Sequence, residues 1–375
     1  MKMEQVREIA NAVLYEGYLL YPYRQSAIKN RQRWTIGVVY PQEYSQANGG
    51  FEPWIMQTEC LLRAEQDATL NLSIRFLHLL VCSVQHTAGA QSAANANGAA
   101  GVQSAADIPS AENANSADPD RATFSSTADP WSIVNRFADE PREEGIEREI
   151  SVHALSLRDL LLEPRTLDFA FPAASLPDEA VPASPTPLVR AQQALHGSIT
   201  IAAKRVAPPF CQLTVRITNL TPATGFIPIL RNAIMQHSFI STHTILAIQQ
   251  GTFVSLLDPP EEARAAAQDC ENLHTWPVLI GDEGDLNTLL SSPIILYDYP
   301  QLAPESPGSL FDGTEIDEIL TLRIMTLTDE EKAEMRQGDA RVRQILERTE
   351  NLTAEDLMKL HGTIRSMKPL TDEEI

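Results

Sequence analysis

The stretch TLNLSIRFLHLLVCSV, residues 69–84, alternates apolar side chains with others over sixteen positions, and nothing else in the chain limits the fold as strongly. Successive side chains of a β-strand point to opposite faces, so this period of two predicts a long strand with one face in a core. Leu70, Leu72, Ile74, Phe76, His78, Leu80, Cys82 and Val84 share that face. His78 is thus expected inside, as a hydrogen-bonded structural histidine rather than a ligand.

The same signal recurs along the chain. Trp34, Ile36, Val38 and Tyr40 alternate with Thr35, Gly37 and Val39, WIMQTECLL (54–62) continues the pattern, and IEREISVHALSL (146–157) reads as another strand. GSITIAAKRVAPPFCQLTVRITNLTP (197–222) predicts a strand pair turning near Pro208 and Pro209. HSFISTHTILAIQQGTFVSLLDPP (237–260) adds one or two strands, interrupted at Gln249, Gln250 and Gly251. Many β-branched strands with little helix between them predict a mainly β chain, α+β overall: an antiparallel β-sandwich or a partly open barrel.

Helical periodicity is confined to the ends. Val6, Ile9, Ala10, Val13 and Leu14 fall on one face of a short N-terminal helix. Thr314 with Asp317, Thr328 with Glu331, and Thr353 with Asp356 each resemble a capping box, in which a hydroxyl and an acid satisfy the first free amides of a helix. The organisation expected is therefore an N-terminal helix and Tyr/Arg-rich segment (1–32), a β-domain (33–260), an extended strap (261–313) and a helical C-terminal region (314–375). Two segments are expected to loop out of the β-domain. Residues 87–128 are Ala, Asn, Ser and Gly without apolar periodicity and read as disordered, and 175–187 is a Pro-rich linker.

Fifty acidic residues against 29 basic ones give a formal charge of −21, which disfavours nucleic acid or an anionic membrane as the main ligand. No apolar run reaches the about 20 residues of a membrane-spanning helix, and the N-terminal segment is amphipathic rather than signal-like. A cytoplasmic location and no membrane insertion are expected. Cys60, Cys82, Cys211 and Cys270 lie far apart without C-x-x-C spacing, so they read as small core residues.

Two segments stand out as candidates for contact with a partner. Tyr15, Tyr18, Tyr21 and Tyr23 precede Arg24, Lys29, Arg31 and Arg33, a basic and aromatic island on an acidic chain. In YDYPQLAPESPGSLFDGTEIDE (297–318), Pro300, Pro304 and Pro307 stiffen an extended strap on which Tyr297, Tyr299 and Phe311 can serve as anchors. The competing reading is a metal site using Asp298, Glu305 and Asp312 with His237, His243 or His274. The acids do not follow the spacing of an EF-hand. His237 and His243, six apart on a strand, lie about 20 Å apart and cannot share an ion without a bend. No nucleophile elbow, P-loop or dinucleotide fingerprint is present.

The segments NAVLYEGYLLYPYR, SSPIILYDYPQLAPESPGSLFDGTEIDEILTLRIMTLTDEEK and LMKLHGTIR together resemble a bacterial family, found among actinobacteria and relatives and encoded beside genes for oxygen-tolerant uptake nickel-iron hydrogenases. The resemblance implies an accessory role in hydrogenase assembly, maturation or coupling, with a hydrogenase subunit or maturation factor as partner. It supplies no catalytic residues. No local cysteine cluster for iron and sulfur and no His-rich tract is written in the chain, and no cofactor is expected. The reading is a non-catalytic interaction protein; the alternatives are a metal-dependent hydrolase and a β-sandwich that binds a small ligand.

Overall fold

A computed structural model describes residues 2–24, 27, 29–30, 33–84, 142–177, 188–223, 231–302, 306, 308–312 and 316–360. Residues 87–128 and the 178–187 part of the Pro-rich linker lie outside these. The described residues divide into two compact units, one drawn from 2–80, 143–174 and 191–360 and the other from 81–84, 142, 175–177 and 188–190. β4 (Ala174–Pro177), most of which is in the second, pairs with β5 (Leu188–Gln192).

The first unit opens with α1 (Lys2–Leu14) and the short α2 (Gln42–Ala47). Then comes β1, Ile55–Val84, a 30-residue strand that merges two segments with the same alternation. After β2 (Arg142–Ser156) come the single-turn α3 (Leu157–Leu160) and β3 (Arg165–Phe171), and, past β4 and β5, β6 (Leu195–Arg205) and β7 (Phe210–Asn219). Next are α4 (Arg231–Met235), β8 (Ile240–Val254), a 3-10 turn (Glu261–Ala263) leading into α5 (Arg264–Gln268), β9 (Trp276–Leu279) and β10 (Thr288–Ser292). Four helices end the described chain: α6 (Asp317–Met325), α7 (Asp329–Gln337), α8 (Ala340–Glu350) and α9 (Ala354–Leu360).

The strands run antiparallel in the order β3-β6-β7-β1-β8-β10-β9, with β2 on β1, and the sheet curls into a half-barrel. The fold is mainly β, as the alternation predicted, and of the two expected forms it takes the partly open barrel. β6 and β7 form the expected hairpin, in register from Gly197 opposite Asn219 to Arg205 opposite Cys211. The interruption at Gln249 to Gly251 does not split a strand. Its register shift falls opposite the β1 bulge between Ala64 and Thr69, where Gln250 adopts φ 57°, so the two irregularities absorb each other.

Alternation in β1 separates two cores. Leu70, Leu72, Ile74 and Phe76 enter the main core with Leu213, Val215, Leu246 and Ile248. From Arg75 onward the opposite face is buried as well, because Leu77 and Leu79 pack under α6 and α8 beside Leu320, Ile324, Val342 and Ile345. α1 uses its predicted stripe: Val6, Ile9, Ala10 and Val13 cover Ile245, Ile280 and Leu290. Each such side chain removed from water contributes about 1.5–3 kcal/mol, which accounts for a sheet covered on both sides here. Phe76 sits at the centre of an aromatic group, with ring centroids 4.7 Å from Phe239, 5.8 Å from Phe171 and 6.3 Å from Phe169.

Two expectations are corrected. Trp34 to Tyr40 is not a strand: Trp34 and Gly37 take φ of 62° and 55°, which breaks the pleat, and only Val39 forms a bridge, to Phe239. The first helix of the C-terminal region starts at Asp317 with Ile316 in the cap position. Thr314 lies outside the described residues, and Asp317 accepts instead from the Ser306 hydroxyl. The capping box at Thr328 and Glu331 is formed, as is the reciprocal pair of Thr353 and Asp356.

Candidate functional site

The strap is fixed at Asp298. One carboxylate oxygen accepts from the Ser255 hydroxyl at 2.5 Å and the other from the Leu279 amide at 2.8 Å. Ser255 directly follows β8, and its Oγ also accepts from the amides of Leu257 and Asp258 at 3.1 and 2.9 Å, so the serine turns the chain and anchors the strap together. The next residue, Tyr299, donates its amide to the Leu279 carbonyl at 2.8 Å. These bonds hold the strap along β9, the edge of the sheet. Tyr297 is thereby held outward at 87% exposure, with Ile295 at 72% and Leu302 at 48% on the same segment. Burial pushes the Tyr299 phenol above its ordinary pKa, and the carboxylates of Asp298, Asp285 and Glu283 add to the shift.

Beside this anchor lies a cleft of about 440 Å³. Phe210, Phe253, Val254 and Leu279 are its buried apolar lining, and Leu286, Pro260 and Tyr299 are the more exposed apolar residues around it. Arg63, Thr252, Ser255, Asp258, Glu262 and Asp298 bring polar groups to it. Arg63 pairs with Glu262 and lies over the Phe210 ring at 5.1 Å.

The N-terminal Tyr/Arg island is not an outer surface. Tyr18 and Tyr23 are 1% exposed, Tyr15 is 7% exposed, and Arg33 and Phe311 are buried with them. Their partners belong to this chain. Tyr15 donates to Glu147 at 2.5 Å, Tyr18 to Asp339 at 2.8 Å and Tyr23 to the Leu310 carbonyl at 2.7 Å. Arg33 donates to the Glu143 carbonyl at 2.8 Å and lies 4.7 Å over the Trp34 ring. Arg341 from α8 stacks on Tyr15 at 4.1 Å, while Arg24 pairs with Glu331 at 3.0 Å. Tyr21, partly buried, lies under the Arg323 guanidinium. The island is internal bonding between the N-terminal segment and the C-terminal helices, an arrangement that interleaved aromatics and cations produce as readily as a recognition surface. Arg31 lies outside the described residues.

Among the described residues the candidate metal ligands are not grouped around one point. Both oxygens of Asp298 are committed to the strap, Asp312 is buried in the chain, and Glu305 lies outside the described residues. His243 is fully buried between strands, with Nδ1 donating to the Ser241 carbonyl at 2.9 Å, whereas His274 is exposed. His237 is half-buried, and burial lowers its pKa. Among the described residues no three His, Cys, Asp or Glu side chains are grouped to hold a metal ion.

His78 takes its predicted inward place, with Arg148 Nε donating to its Nδ1 at 3.4 Å. Burial, aided by the Arg148 charge, holds it down at about 4, and burial does the same to His243. The cysteines are free thiols: Cys60, Cys82 and Cys211 are buried, and Cys270, partly buried, is pushed up to about 11. Burial raises the thiol pKa of Cys60, Cys211 and Cys270, the opposite of what makes a nucleophilic thiolate. Among the described residues no helix is long and apolar enough to cross a membrane.

Sequence reasoning named Asp298 and Tyr299 but missed the residues that position them. Ser255 and Leu279 lie 43 and 19 residues from Asp298, and no local pattern joins them. The only signal available was the end of an apolar alternation at Val254 followed by Ser-Leu-Leu-Asp-Pro-Pro, which marks a turn. No protein-family model matches this chain, and no curated protein matches it.

Proposed function

We propose that this chain is a non-catalytic cytoplasmic interaction protein that docks a protein partner through the strap. The carrying observation is that Tyr297, 87% exposed, directly precedes two residues bonded to the body of the fold, Asp298 and Tyr299. An aromatic side chain held outward on anchored backbone loses little conformational freedom on binding, which is the physical requirement of a good anchor. Ile295 and Leu302 extend the apolar contact along the same segment. α6 supports this reading in a second place: it buries Leu320 and Ile324 yet exposes Ile319, Leu322 and Met325, more apolar surface than an outer helix ordinarily leaves to water.

The partner class comes from the sequence resemblance: a subunit or maturation factor of a nickel-iron hydrogenase, with the chain assisting assembly, maturation or coupling. The test is affinity capture from the native host with the wild-type chain and with the double variant Ile295→Ala, Tyr297→Ala, followed by mass spectrometry. A hydrogenase subunit or maturation factor recovered by the wild type and lost with the variant is the expected result. Recovery of no such protein, or equal recovery by both chains, refutes the proposal.

A further inference from the structure

The two edges of the sheet differ. At β9 the edge is covered: Pro277 has no amide hydrogen, and the strap donates the Tyr299 amide to the Leu279 carbonyl. At the opposite edge, β3 pairs with β6 in unbroken register, from Arg165 opposite Ile201 to Phe171 opposite Leu195. Among the described residues no strand pairs with its other side. Every second residue of β3 therefore points its N–H and C=O away from the sheet, and its seven residues contain no proline, lysine or bulge of the kind that blunts an edge.

The side chains of β3 leave that edge bare. Leu167, Phe169 and Phe171 are half-buried against the main core. The Phe169 ring leans back over β6, where a Cβ on the opposing Gly197 would overlap it, and its centroid lies 5.5 Å from that of Phe239. Thr166, Asp168 and Ala170 are exposed on the other face, and Leu162, just before the strand, is 80% exposed.

The sequence of β3 suits a second copy of itself in one register. Two identical antiparallel strands that keep their core faces together are related by a two-fold axis through one residue. An axis at Asp168 sets that carboxylate against its own copy. An axis at Leu167 sets Arg165 against Phe169 and Glu163 against Phe171. An axis at Phe169 pairs this residue with itself, Leu167 with Phe171 and Asp168 with Ala170, so apolar side chains meet on the core face and no like charges oppose each other.

We propose that β3 joins a second copy of this chain edge to edge, about a two-fold axis at Phe169, so that the antiparallel sheet continues from one molecule into the other. Main-chain hydrogen bonds supply the affinity, and the side-chain pairs fix the register. A seven-residue edge buries less surface than a standard interface, so the dimer is weak and its population depends on concentration. This contact is independent of docking through the strap, which lies along the opposite edge of the sheet.

The test is analytical ultracentrifugation of the full chain from about 1 to 300 μM, the range of a weak association. A monomer–dimer equilibrium is expected. Ala170 is exposed and meets Asp168 twice in the dimer, so Ala170→Lys should tighten association and Ala170→Asp should weaken it, each at least about threefold, with thermal unfolding unchanged. Ile295→Ala with Tyr297→Ala should leave the dimer intact. A monomer at every concentration, any other order of the three affinities, or loss of the dimer on changing Ile295 and Tyr297 overturns the proposal.

Discussion

Tyr18 donates a 2.8 Å hydrogen bond to Asp339 across 321 residues of chain, and that same carboxylate caps α8 by accepting from the amides of Arg341 and Val342. One buried side chain thus joins the segment after α1 to the C-terminal helices and satisfies the helix's first free donors. Burial and the neighbouring Asp339 charge push the Tyr18 phenol well above its ordinary pKa, so it remains a donor at any physiological pH.

Tyr18→Phe keeps the ring contacts with Trp34 and Phe311 but withdraws the donor from a buried carboxylate. A loss of about 1.5–3 kcal/mol is expected, the magnitude of a hydrogen bond to a charged group. Urea unfolding of the two chains measures it. A difference below about 0.5 kcal/mol would mean that Asp339 is satisfied by its capping amides alone.

Asp298→Ala removes the acceptor for both the Ser255 hydroxyl and the Leu279 amide. The strap is an edge element outside the main core, so the expected effect is local opening more than global unfolding. Amide hydrogen exchange at Leu279 and Tyr299 should accelerate at least about tenfold, while β1 and β7 keep their protection. Unchanged exchange at both amides would show that the strap is held by other contacts.

Acid should destabilise the fold before most carboxylates titrate. His78 and His243 titrate near 4 when folded, against an ordinary 6.5, so the unfolded chain binds more protons between these values. Their contribution is fully present above pH 6.5 and is lost as the pH falls toward 4, about 3 kcal/mol for each histidine. Unfolding free energies at pH 7, 5.5 and 4.5 give the slope. Replacing His78 by Leu should flatten about half of it, and an identical slope in that variant would reassign the effect to other groups.

Gly37 adopts φ 55°, and a Cβ there would come within 2.7 Å of the Pro293 Cβ and 3.1 Å of the Thr242 amide. Gly37→Ala therefore combines left-handed backbone strain with overlap against the Pro293 ring and crowding of the Thr242 amide. A loss of about 2 kcal/mol or more in thermal or chemical unfolding is expected. Retention of wild-type stability would show that the loop from Trp34 to Tyr40 can shift freely.

How much could be read from the residues depended on how local the cause was. The alternation of residues 69–84, the β6–β7 hairpin, the stripe on α1 and the caps at Thr328 and Thr353 follow from side-chain direction and backbone hydrogen bonding within a few residues. These were legible. Trp34 to Tyr40 shows the limit: its alternation suits a strand, yet Trp34 is drawn toward Tyr18 and Arg33, and the backbone turns to deliver it.

The tyrosines and arginines of residues 15–33 carry no mark that separates a surface for a partner from a contact with the chain's own distant helices. In both cases the same aromatic and cationic groups seek a partner, and only tertiary structure supplied Glu143, Glu147, Asp339 and Arg341 to meet them. The strap is the converse. Its prolines and acids spell a stiff extended segment, but which acid anchors it and which aromatic remains in water was decided by the ends of β8 and β9. The sequence by itself determined the strands and helices, because their periods arise from local geometry. Only the fold decided that Asp298 is an anchor and Tyr297 is free, because those roles depend on Ser255 and Leu279, which the sheet alone brings near.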